Sequence, residues 1–305
     1  MSILLSRETR VLVQGITGRA GRAQTKWMLE YGTNIVAGVT PGRGGEEVED
    51  IPVYDTVTEA VVERGAEASV FFVPPASVKA AVLEAIEAGI KLIVIVTEHV
   101  PTHDAMEIRA YAKGQEIRLL GPTSPGIITP GEAKMGIMPG NMFTAGRIGV
   151  ISRSGTLAYE ISANLSAAGL GQSTVVGMGA DAVVFTNMPE LLELFENDPD
   201  TDLVVIVGEV GGIQEEKATQ FIAHHMTKPV IAYIAGRSAP EGKRMGHAGA
   251  IIHGNMGTSQ SKVTALRQVG VEVAEYPLQI VELVRRRLIH IREVANGTED
   301  NQGIL

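Results

Sequence analysis

Residues 10–21 read RVLVQGITGRAG, and this stretch decides the fold. Val11-Leu12-Val13-Gln14 is an apolar run of strand length and β-branched character. It stops at Gly15. Gly15, Gly18 and Gly21 then space a turn into a segment of helical composition that runs to about Tyr31. A strand that enters a helix through such a turn is the first half of a βαβ unit. The alternation repeats outward. NIVAGVT, ASVFFVPP, KLIVIVTE and IRLLGP are short apolar runs, separated by helical stretches such as SVKAAVLEAIEAG. Near-continuous apolar strands alternating with helices predict a parallel sheet covered on both faces, the doubly wound α/β class.

The rhythm breaks after Gly121, where Pro122, Pro125, Pro130 and Pro139 fall among glycines. It restarts with RIGVISRSG, STVVGMG, DLVVIVGEVGG and KPVIAYIAG, with PELLELFEN and EEKATQFIAHH between them. The expected organisation is a Rossmann-like domain over residues 1–121 and a linker or wrapping loop over 122–146. A second, flavodoxin-like doubly wound domain follows over 147–294, and a polar tail over 295–305.

The chain of 305 residues has a formal net charge of -9 and no cysteine. An acidic surface argues against wrapping nucleic acid, and the absence of cysteine excludes a disulfide scaffold and Cys-ligated metal. MSILLSRETR lacks the apolar core of a signal peptide, and no run is long enough to span a bilayer. The expectation is a cytoplasmic α/β protein with no membrane or nucleic-acid partner.

The glycine loop Gly15-x-x-Gly18-x-x-Gly21 lets a backbone approach a ligand and offers helix N–H groups to an anion. The same spacing also suits a tight strand–helix turn with no ligand. A site for an unphosphorylated dinucleotide ribose wants a carboxylate at the end of the second strand. Here that end reads Thr40-Pro41-Gly42-Arg43, and a guanidinium suits a ribose phosphate better than a bare hydroxyl. Both CoA and NADP carry such a phosphate. Val73-Pro74-Pro75 and Val96-Thr97-Glu98 are the expected walls of the same crevice.

In the second half, Arg153-Ser154-Gly155-Thr156 stands between a strand and a helix, an arrangement that serves an anion or simply caps the helix. His247 lies in Gly-His-Ala-Gly, whose small residues leave an imidazole open to a large electrophile. Glu209 ends an apolar strand, where a carboxylate can accept one ring N–H and leave the other nitrogen nucleophilic. The remaining histidines show no metal-ligand spacing, and no metal is expected.

Taken together, GITGRAG, GVTPGRGG, VTE, GPTSPGIITPGE, GVISRSGTLAYE, GEVGG, KPVIAYIAG and GKRMGHAGAI resemble the α-subunit family of succinyl-CoA synthetase, or succinate–CoA ligase. The resemblance spans nearly the whole chain. It implies a CoA-binding first domain, with contacts from Thr17, Gly18, Arg19, Ala20, Arg43, Val96, Thr97 and Glu98. Arg43 stands where the family usually has lysine. The resemblance makes His247 the phosphorylated histidine and Glu209 its carboxylate, with Ser154, Gly155 and Thr156 cradling the phosphoryl group. Tyr159, Thr123 and Ser124 fall on the side of a small carboxylic acid substrate. It also implies a β subunit of ATP-grasp fold that holds ATP or GTP with Mg2+, in an αβ or α2β2 complex. This chain itself has no P-loop.

Two loops depart from the family. Thr123-Ser124 replaces the usual Asn-Cys, and Gly179-Ala180-Asp181-Ala182 replaces Gly-Gly-Asp-Pro. Succinate is the default acid, with malate or a related hydroxy acid next. The competing expectations are an NAD(P)-binding two-domain oxidoreductase and a CoA-binding regulator without catalysis.

Overall fold

The structure is a computed structural model that describes residues 2–237, 249–250 and 257–299. The first sheet grows from β1 (Val11–Gln14), followed by α1 (Arg19–Tyr31) and β2 (Ile35–Val39). The short strands β3 (Glu47–Val48) and β4 (Ile51–Tyr54) come next, then α2 (Val57–Arg64), β5 (Ala68–Phe71), α3 (Val78–Glu87), β6 (Leu92–Ile95), α4 (Thr102–Ala112) and β7 (Arg118–Leu120). Its strand order is β3-β4-β2-β1-β5-β6-β7. All pairs are parallel except β3 with β4. Without the antiparallel edge strand β3, this is the Rossmann order, which reverses between β1 and β5.

The second sheet contains β8 (Gly126–Thr129), β9 (Ala133–Gly136), β10 (Ala145–Ser152), α5 (Gly155–Ala167), β11 (Gln172–Gly177), α6 (Met188–Glu196) and β12 (Leu203–Gly208). It continues with α7 (Gln214–His225), β13 (Val230–Ile234), α8 (Ser259–Gln268), β14 (Glu272–Ala274) and α9 (Gln279–Glu299). The order is β14-β13-β12-β10-β11-β8-β9. Its five parallel strands follow the flavodoxin order, which reverses between β10 and β12.

Strand alternation builds the cores. Leu12, Phe71, Ile93 and Ile95 pack on one face of the first sheet. Val11, Val13, Val70 and Val94 pack on the other, in an apolar cluster that runs through Ile127 and Met135 to Ile151 and Ile206. The two domains therefore share buried surface.

Residues 122–146 depart from the expected linker. β8 and β9 form an antiparallel hairpin, and β8 pairs antiparallel with β11 at the edge of the second sheet. The glycines that suggested a loop serve this hairpin. Gly126 and Gly136 are cross-strand partners with φ of 108° and 118°, and a Cβ on Gly126 would lie 2.0 Å from the Met135 carbonyl oxygen. β10, the first of the parallel strands of the second sheet, also begins slightly before residue 147, at Ala145. The polar tail expected from residue 295 is still helical to Glu299.

Candidate functional site

The first crevice opens where the first sheet reverses order. Gly15 has φ of 76°, and a Cβ there would sit 2.6 Å from the Phe72 carbonyl oxygen, so only glycine fits. A Cβ on Gly21 would lie 2.1 Å from the Gly15 carbonyl oxygen. Glycine there lets α1 start against the strand end. Helices α2 and α6 close their own N-termini with the capping boxes Thr56/Glu59 and Asn187/Glu190. Helix α1 has Gly18 at its cap and no side chain closing it, which leaves its first N–H groups for an anion.

A cavity of about 400 Å³ lies here, lined by Gly15, Thr17, Gly18, Thr40, Val73 and Pro74 among others. Thr17 Oγ1 donates to Thr40 Oγ1 at 3.1 Å. The carboxylate on this wall, Glu84, accepts the Val57 N–H at 2.8 Å. No acid stands at the end of β2. Arg19, Ala20 and Glu98 are exposed and lie outside the cavity lining. Arg43 is on the loop after β2, half-exposed, with Nε 2.6 Å from Glu46 Oε1. Thr97 Oγ1 donates to the Val73 carbonyl at 2.9 Å, and the Thr97 carbonyl accepts the Thr123 N–H at 3.1 Å. Thus the end of β6, continued by Val96 and Thr97, leads straight to the loop that begins the second domain.

The second crevice opens between β10 and β12. Ser154 caps α5, its hydroxyl accepting the Leu157 N–H, and its own N–H donates to Ser152 Oγ at 3.1 Å. Gly155 and Thr156 form the first turn. A Cβ on Gly155 would approach the Tyr159 hydroxyl at 3.5 Å, which places the phenol beside that turn. Burial pushes the Tyr159 phenol up to about 12.

Glu209 follows β12 and is buried. Arg153 Nη2 lies 3.6 Å from Glu209 Oε1, and Arg153 Nη1 donates to the carbonyls of Glu209 and Gly211 at 3.1 and 2.7 Å. The same nitrogen reaches Glu215 Oε1 at 3.1 Å, and Glu215 bonds Lys262 Nζ on its far side. Burial works to raise the Glu215 carboxyl, yet Arg153 and Lys262 outweigh it and hold the group below the usual carboxylate range.

Loops from the two sheets meet beside this crevice. Thr123, at φ 55°, donates to Asp181 Oδ1 at 3.0 Å. Ser124 is buried, donates to the Gly177 carbonyl at 2.6 Å and accepts the Gly126 N–H at 3.0 Å. Its one proton is spent inside the fold, so Ser124 anchors the hairpin and has no donor left for a substrate. The Gly249 N–H donates to the Ala180 carbonyl at 3.0 Å, which returns the chain to the same loops. His247 lies outside the described residues.

Sequence reasoning missed Glu215 and Lys262, which are fully buried. The signal was their register. Glu215 shares a face with Ala218, Thr219 and Ile222 on α7, and Lys262 with Ser259, Val263 and Leu266 on α8. It also missed His103, Asp104 and Glu107, which lie close enough to hold a metal ion. Lys79 Nζ already sits 3.1 and 2.8 Å from Asp104 and Glu107.

Two family models match, a CoA binding domain over residues 6–99 and CoA-ligase over 151–272. The chain is 53% identical over 284 residues to the succinate–CoA ligase [ADP-forming] subunit alpha 2 of Archaeoglobus fulgidus, covering 93% of this chain and 99% of that one. It is 51% identical over 290 residues to the subunit alpha of Aquifex aeolicus, covering 94% and 95%. Among solved structures, the ATP citrate lyase of Methanothrix soehngenii in complex with citrate and coenzyme A superposes with a TM-score of 0.83. At 24% identity this is a likeness of fold; it covers 94% of this chain, which spans about half (52%) of that one.

Proposed function

This chain belongs to the succinate–CoA ligase α-subunit family, and from that premise we propose that it joins a carboxylic acid to CoA by way of a phosphoryl group carried on His247. The observation that carries the reading is the pair of sheet switch points. Each presents a helix N-terminus, of α1 and of α5, and the Thr97–Thr123 hydrogen bond ties the loop after β6 in the first sheet to the loop that leads into β8 of the second. An NAD(P) oxidoreductase would use only the first of them.

A carboxylate is a poor acyl donor until one oxygen is phosphorylated. In the proposed route a His247 nitrogen attacks the terminal phosphorus of ATP or GTP, and the nucleoside diphosphate leaves. A carboxylate oxygen of the acid then attacks that phosphorus, and the P–N bond breaks. The CoA sulfur, losing its proton, attacks the acyl carbon, and phosphate leaves. A covalent intermediate divides one hard transfer into easier ones. Glu209 would accept the imidazole N–H, Gly155 and Thr156 would offer N–H groups to the phosphoryl oxygens, and Ser154, whose own N–H is bonded to Ser152 Oγ, would offer its hydroxyl proton. The glycine loop with Thr17, Gly18, Arg19 and Ala20 would hold CoA phosphates, Arg43 the ribose phosphate, and Val96, Thr97 and Glu98 the opposite wall.

Succinate, the acid in the relatives' descriptions, is the default substrate. Tyr159 and Thr123 would face it. The α-subunit designation of the relatives implies a β partner. We assign to that partner the nucleotide with its Mg2+, in an ATP-grasp fold, within a cytoplasmic αβ or α2β2 complex. Among the described residues no helix is long and apolar enough to cross a membrane.

The test is reconstitution. The chain alone should form no acyl-CoA from succinate, CoA and ATP or GTP, and adding the β subunit should start the reaction. Equal turnover by the rigorously purified single chain would refute the division of labour.

A further inference from the structure

Resting on this reading of Glu209, we infer that Glu215, backed by Lys262, is a positioning residue that fixes the Arg153 guanidinium and the Glu209 loop relative to the N-terminus of α5. Three charged side chains, Arg153, Glu215 and Lys262, are buried together at the carboxyl edge of the second sheet. Burying charge is costly, and apolar residues of similar volume often hold a fold at least as well. A network that serves only packing has no need to sit at the sheet's switch point, where ligands bind.

Its bonds converge on one loop. Glu215 Oε1 accepts the Glu209 N–H at 3.1 Å. Arg153 binds the carbonyls of Glu209 and Gly211, and Lys262 Nζ binds that of Gly212 at 3.2 Å. A second carboxylate, Glu216, meets Lys262 at 3.2 Å. The main chain from Glu209 to Gly212 is thus gripped at four points by three side chains, from the β10–α5 turn, α7 and α8. The fit is close: a Cβ on Gly208 would lie 2.6 Å from Glu215 Oε1. Arg153 is also the residue before the α5 cap, and its N–H donates to the Val207 carbonyl at 3.0 Å. Glu209 and the phosphate-binding helix start are therefore held to one guanidinium, and Glu215 sets where that guanidinium lies.

The amide of Glu215→Gln keeps the shape and removes the charge that orients both cations. In the αβ complex this variant should take label from [γ-32P]nucleotide roughly a hundredfold more slowly, the loss expected when a reacting group is misplaced by about 1 Å. CoA binding, which uses the first domain, should be unchanged and reports that the chain is folded. If Glu215 acts through Glu209, adding Glu215→Gln to Glu209→Gln should cost little more than Glu209→Gln alone. Lys262→Arg should retain most of the rate that Lys262→Met loses. Full additivity of the two glutamate variants, or an unchanged labelling rate in Glu215→Gln, overturns the inference. An unmutated complex that takes no label overturns the functional reading itself, and this inference with it.

Discussion

Arg43 gives the sharpest test of the CoA crevice. It sits on the loop after β2 and is paired with Glu46 at 2.6 Å, with both side chains substantially exposed. A charge-assisted bond to the ribose phosphate contributes about 1.5–3 kcal/mol. An exposed pair such as Arg43–Glu46 contributes about 0–1 kcal/mol, and the phosphate has to replace it. The net loss on Arg43→Ala is then about 0.5–3 kcal/mol, a rise in Kd of roughly 2- to 160-fold for CoA. Dephospho-CoA, which lacks the phosphate, should bind the variant and the unmutated chain alike. Glu46→Gln removes the competitor and should tighten CoA by up to about fivefold. Calorimetric titration of both ligands into the unmutated and the two variant complexes measures these values. Equal losses for CoA and dephospho-CoA in Arg43→Ala would refute the assignment of the ribose phosphate to this loop.

Other outcomes follow from the same geometry. Gly21→Ala places a methyl 2.1 Å from the Gly15 carbonyl oxygen, and should lower stability by about 3 kcal/mol with loss of CoA binding, read by thermal melting and calorimetry. Tyr159 keeps its proton to about 12 when folded, whereas the unfolded phenol releases it near 10. Stability should therefore fall as pH rises from 10 towards 12, and less steeply in Tyr159→Phe. In the activity assay Tyr159→Phe should raise KM for the acid and leave the labelling rate nearly unchanged. Ser124→Ala should lower the melting temperature without changing the ranking of acids, whereas Thr123→Asn should change it, as kcat/KM for succinate, malate, citrate and itaconate would show. Succinate leading that panel by about a hundredfold in the unmutated complex would make the loop substitutions neutral.

Much of the fold was legible because the buried parallel strands are almost continuously apolar: LVVIVG and LIVI admit few other readings. The hairpin β8–β9 was not, because the glycines needed for its close strand approach look like loop residues in the sequence. Of the site, Thr17, Gly18, Ser154 and Glu209 were visible at strand ends, where the topology makes residues converge. Glu215 and Lys262 were hidden, since single charges on amphipathic helices usually face water; here each occupies the apolar register and is neutralised by the other. Glu46 was hidden for the opposite reason: an exposed acid beside Arg43 is ordinary until the guanidinium is assigned a ligand. Ser124 shows the limit of motif comparison, because a hydroxyl at a family's substrate loop can be spent wholly on its own backbone.

The central claim is that His247 carries the phosphoryl group, and one labelling experiment bears on it most directly. The αβ complex incubated with [γ-32P]ATP or GTP, then digested and sequenced, should carry an acid-labile, base-stable label on the peptide containing His247. That label should be discharged by succinate with CoA, and a His247→Ala complex should take none. Undiminished labelling of the His247→Ala complex, or a label stable to acid, would contradict the account.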